Sequence, residues 1–74
     1  MEIYKIVVNE AGTTNCYVQP RIFFNQQSAR DYAQEIINDG YCDDYEVGSV
    51  VIYRERPDNS LGWFVTCGME RITK

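Results

Sequence analysis

The sequence predicts an α+β fold: a four-stranded, mainly antiparallel sheet in ββαββ order with one helix packed on one face. Three observations lead there. Only one stretch has helical periodicity: Ala29, Tyr32, Ala33, Ile36 and Ile37 fall at i, i+3, i+4, i+7 and i+8, on one stripe of a helix. Runs rich in β-branched and aromatic residues flank it, two before and two after. Each pair of runs is separated by turn-forming residues, Asn9 to Asn15 around Gly12 in the first and Pro57 to Gly62 in the second. At 74 residues the chain is expected to be a single domain, residues 1–74, because so short a chain cannot be divided into two cores.

The first strand is expected over Ile3 to Val8, ending at Asn9. The second runs from Cys16, Tyr17 and Val18 toward Ile22, Phe23 and Phe24, with Pro20 inside it. Proline has no N–H to give a ladder, so this strand should be an edge, bulged, or broken near Gln19. Asn25 is a good N-cap, with Phe24 before it as a staple against Ala29. Gly40 can take the left-handed conformation that closes a helix, which makes the helix about fourteen residues and ~21 Å long. Arg30, Asp31, Gln34, Glu35 and Asn38 fill its outer face. A loop over Tyr41 to Asp44 then leads to a third strand, Glu46 to Arg56. The fourth runs from Trp63 to Ile72, with Trp63, Val65, Cys67 and Met69 on one side and Phe64, Thr66 and Gly68 on the other. The first strand likewise sets Ile3 and Val7 against Tyr4, Ile6 and Val8. One helix covers one face, so the other is either a mixed surface or a contact surface for a second subunit or partner.

Eleven acidic residues exceed seven basic ones, for a net charge of −4, and histidine is absent. The absence of histidine removes Ser-His and Cys-His nucleophile activation and histidine metal ligation. Ser28, Ser49 and Ser60 have no base to activate them, and Glu55 with Asp58 fits no glycosidase architecture at this length. A non-enzymatic protein without cofactor or metal is expected. The negative balance argues against a phosphate-gripping surface, which needs a basic footprint. Cys16, Cys42 and Cys67 are odd in number and lack C-x-x-C spacing, so they read as free thiols in a reducing cytoplasm. Cys42, next to Asp43 and Asp44, has no neighbouring cation to activate it. No basic leader with an apolar run stands at Met1 to Val8, and no apolar run approaches the ~20 residues of a membrane span.

The sharpest local feature is the segment from Asp39 to Glu46, in which Asp39, Asp43, Asp44 and Glu46 supply four carboxylates and Tyr41 and Tyr45 two phenols within eight residues. Such a segment can dock on a basic protein surface, the carboxylates steering the encounter and the tyrosines supplying contact area. The plainer reading is a solvated loop at a helix C-terminus. The segment lacks the alternating ligands of an EF-hand. A second candidate is a basic patch of Arg54, Arg56 and Arg71, with Lys74, which could bind single-stranded nucleic acid by stacking on Tyr53, Trp63 and Phe64. The plainer reading there is edge-strand charge over core aromatics.

In size, charge and layout the whole chain resembles the small acidic inhibitors encoded by phages and mobile elements, notably anti-CRISPR proteins. The resemblance implies a cytoplasmic single-domain inhibitor that binds a CRISPR effector complex and blocks its nucleic-acid site or conformational cycle. It carries no motif and assigns no residue. A localised acidic contact fits this chain better than whole-surface DNA mimicry, which takes far more carboxylate. The expected partner is a protein with a basic surface, not a membrane, and homodimerisation is compatible with the open sheet face.

Overall fold

The computed structural model describes residues 1–74. Strands β1 (Ile3–Glu10) and β2 (Cys16–Phe23) form a first hairpin. Helix α1 (Gln26–Asp39) crosses to β3 (Tyr41–Cys42), β4 (Tyr45–Asp58) and β5 (Trp63–Thr73). All pairings are antiparallel: β1 lies between β2 and β4, while β5 and the short β3 both pair with β4. The sheet thus has five strands, not the expected four. Its extra strand, Tyr41–Cys42, is the first half of the segment read as a loop, and Asp43 and Asp44 form the turn after it.

The helix follows its sequence signals. Asn25 Oδ1 accepts from the Ser28 N–H at 3.0 Å, and Gly40, at φ 80°, closes the last turn by donating to Ile36 O at 3.1 Å. Ala29, Ala33, Ile36 and Ile37 pack on Tyr4, Ile6 and Val8 of β1, Phe23 of β2, and Val47, Val50 and Ile52 of β4. Phe24 does not staple the helix; it is 68% exposed, and Phe23 takes the core position with its ring 5.1 Å from that of Tyr32. The alternation of β2 decides this, because Phe23 pairs with inward-facing Tyr4.

Proline placement is answered by an edge and a bulge. Lys5 pairs with Ile22 and Val7 with Val18, so Gln19, Pro20 and Arg21 stand opposite the single residue Ile6 on the outer strand. Pro57 belongs to β4 rather than to the turn, beyond the last β1 pair at Glu55, where one side of the strand has no partner to lose. The turn itself is held by Asp58, whose Oδ1 accepts from the Ser60 hydroxyl at 2.6 Å and from the Ser60 N–H at 2.9 Å, bonds that keep its carboxyl below the usual range.

Bulges also break the side assignments made from strict alternation. Arg54 pairs with Gly68 and Glu55 with Thr66, which leaves Cys67 as an extra residue in β5. Met69 therefore shares a face with Thr66 and Phe64, not with Trp63 and Val65. A second irregularity leaves Gly48 unpaired between Ser49–Asn9 and Val47–Glu10. A Cβ there would lie 3.1 Å from Ala11 Cα, so the close approach calls for glycine.

Ala33 has no exposed surface, whereas neighbouring Gln34 faces solvent. Ala33→Asp should bury an unpaired carboxylate at the helix–sheet contact and cost about 3–5 kcal/mol, most of what a domain this small has. Gln34→Asp should change stability by less than about 1 kcal/mol. Chemical denaturation of the two variants checks this; equal midpoints would contradict the packing.

Candidate functional site

The acidic segment is a tight hairpin built on the end of α1. Gly40 turns the chain out of the helix, and its carbonyl accepts from the Val47 N–H at 2.9 Å, which stitches the start of β3 to β4. Tyr41 pairs with Glu46 and Cys42 with Tyr45, leaving Asp43 and Asp44 as a two-residue turn in which Asp43 takes φ 54°. Aspartate tolerates that conformation better than most residues.

Because the Gly48 bulge shifts the alternation, Val47 and Tyr45 face the helix side while Glu46 and its partner Tyr41 face away. The two tyrosines are thus separated. Tyr41 is 67% exposed, whereas Tyr45 packs against the core beside Cys42 and stacks on Tyr17, ring centroids 4.4 Å apart. Tyr45 is therefore a supporting side chain and not an exposed anchor, contrary to the sequence expectation. Its hydroxyl is buried without a hydrogen-bond partner. Burial, then the adjacent Cys42 thiol and the Asp43 carboxylate, push its ionisation well above the ordinary tyrosine range.

Asp39, Asp43, Asp44 and Glu46 are all exposed. Glu46 lies 3.5 Å from Lys74 Nζ; the ion pairs of the chain engage none of the three aspartates. The first hairpin adds a carboxylate that the linear segment hides: the Tyr17 hydroxyl donates to Glu10 Oε1 at 2.9 Å. That bond, with the charges of Glu10 and Asp44, raises the Tyr17 pKa. The only sequence signal for this addition is the register of β1 against β2. The carboxylates do not converge as a metal site with other ligating side chains.

The basic patch is not assembled. Arg54 and Arg56 lie on the helix side of β4, whereas Arg71 pairs with Val51 on the opposite face, where its Nη1 donates to Ser49 Oγ at 3.2 Å. Lys74 is at the acidic end with Glu46. Arg54 lies over Gly68, where a Cβ would meet its Nη2 at 3.2 Å, and donates to the Cys67 carbonyl at 3.4 Å. The β4–β5 pairing reveals chemistry that the sequence reading missed: the Cys67 thiol donates to the Arg54 carbonyl at 3.4 Å, and the guanidinium of Arg56, then that of Arg54, lower its pKa below the usual cysteine value. All three cysteines are free. No helix is long and apolar enough to cross a membrane.

A scan against protein-family models and searches of curated proteins and of solved structures found no match to this chain.

Two outcomes follow from these ionisations. Raised tyrosine pKa values in the fold mean that the unfolded chain ionises first, so stability is whole below about pH 10 and declines as pH rises above it. Tyr45→Phe should flatten that alkaline decline in urea titrations at increasing pH. At neutral pH, iodoacetamide should label Cys67 faster than Cys42, and Arg56→Gln should slow Cys67 labelling; equal rates, read by peptide mass mapping, would contradict its activation.

Proposed function

We propose that this chain is a non-enzymatic binding protein that inhibits a nucleic-acid-handling complex, in the manner of anti-CRISPR proteins, by occupying a basic surface with its acidic end. The observation that carries the reading is the grouping of Asp39, Asp43 and Asp44, exposed and outside every ion pair, around exposed Tyr41 on a short hairpin. Unpaired carboxylates project a field that steers a basic partner. Tyr41 adds a large contact with few rotors to freeze. Tyr45 and Tyr17 hold the hairpin from beneath. Nucleic-acid binding by the sheet is the weaker reading, because its arginines are divided between two faces.

Purified CRISPR effector complexes with the chain added at equimolar amounts provide the test, with target-DNA cleavage as readout. A susceptible effector should be stopped by the wild type. Asp43→Asn, Asp44→Asn and Glu46→Gln together should lower the association rate about tenfold at low salt and flatten its salt dependence. Tyr41→Ala should instead speed dissociation. Cleavage unaffected by the wild type across effector classes, or inhibition untouched in the triple variant, would overturn the proposal.

A further inference from the structure

The sheet face turned away from the helix is ordered in cross-strand rows, since antiparallel partners point to the same side. Two adjacent rows at its centre are Val18, Val7, Val51 and Arg71, then Ile22, Lys5, Tyr53 and Met69. Six of these eight side chains are apolar or aromatic, and the two cations turn out of the strip. Arg71 reaches Ser49 in the row on one side, 3.2 Å away, and Lys5 Nζ lies 3.9 Å from Glu55 in the row on the other. What remains is an apolar strip between polar rims, the anatomy of a protein interface. Val18 and Met69, near its opposite edges, are 63% and 57% exposed.

Charge and area select the occupant. Glu55 is the sole carboxylate in these central rows and the positions pairing across from Ile3 and Ser49, and Lys5 offsets it, although the chain carries −4 overall. Glu46 of the acidic end lies on this same side beyond the Ser49 row, but Lys74 stands 3.5 Å from it, so two copies can meet over the central rows with each nearby carboxylate paired to a cation. Four strands ~4.8 Å apart and about seven residues long give a footprint of about 19 by 24 Å. Val51 at its centre is already covered within the chain, so Val18, Ile22 and Met69 supply most of the exposed apolar area, and two faces together reach at most on the order of 1,000 Å², the low end of specific association. Oligomerisation is also a common support for so small a core. We infer that a second copy of the chain covers this face, the two sheets packed against each other with a helix outside each.

Sedimentation velocity over a concentration series tests the inference on the full chain. The wild type should sediment at twice its 8.6 kDa chain mass. Val18→Glu with Met69→Glu should give a monomer with an unchanged far-ultraviolet circular dichroism spectrum. The acidic-end triple variant should remain dimeric, which separates this face from the proposed binding end. Should the double variant misfold, Met69→Gln, which adds no charge at an exposed site, should still weaken the dimer about tenfold. A wild type monomeric at every concentration overturns the inference and leaves the face to a foreign partner or to solvent. A dimer retained in the folded double variant or undiminished by Met69→Gln overturns it in favour of another contact, such as pairing along the outer edge of β5.

Discussion

The contact between Ala29 and Ala33 and the centre of the sheet is the constraint on which the molecule depends. Both side chains are fully buried, and their small size lets the helix approach Ile6, Val8, Val50 and Ile52 closely. The helix is the one layer that covers the sheet within the chain, so the hydrophobic gain of the core comes largely from this contact. At about 1.5–3 kcal/mol for each large side chain fully buried, a handful of such residues must offset the entropy of ordering the chain. A charge, or a few extra methylenes, at either alanine lifts the helix from the sheet as a unit. The helix ends also fix the rest of the layout. Its N-terminus follows directly from Phe23 in the core, and its C-terminus opens into β3 and the acidic hairpin.

Much of this was legible because the signals were local and redundant. The apolar stripe, the Asn25 cap and the Gly40 stop agree on one helix, and each rests on chemistry that acts within a few residues. Pro20 announced an edge strand and a bulge for a similar reason, since its missing N–H excludes a central ladder. What escaped is set by register. The bulges at Gly48 and Cys67 add one residue each and reverse which side chains face the helix, and only the partner strand decides where they fall. Hence the acidic residues were found as a group, but the opposite fates of Tyr41 and Tyr45 were not. The division of Arg54 and Arg56 from Arg71 escaped similarly, because the face that Arg71 takes is set only by its β4–β5 pairing with Val51, on the side of the sheet opposite Arg54.

The acidic end is placed against the interest of the helix. A helix C-terminus carries partial negative charge and favours cations in its last turn, by about 0.3–1 kcal/mol each. Here the last turn has no basic residue, and Asp39 stands at its end with Asp43, Asp44 and Glu46 just beyond. Lys74 alone answers, 3.5 Å from Glu46 and close to Gly40. In a chain with little stability to spare, a cluster of charge that lowers stability is the kind of local inconsistency that binding surfaces retain.

The same end combines this cost with rigidity, and the two belong together. A charged loop that moved freely would lose much of its binding energy to ordering on contact. Here a two-residue turn, a strand pairing and the Gly40–Val47 hydrogen bond fix the backbone, while the Tyr17–Tyr45 stack supports it from the helix side. The buried Tyr45 hydroxyl, unpaired, is part of the cost of that support. The alternation of one short strand pair thus gives its two tyrosines different work. The inward ring anchors the hairpin to the core and so holds the outward ring and the carboxylates around it in one arrangement, the preorganisation that the proposed binding would use.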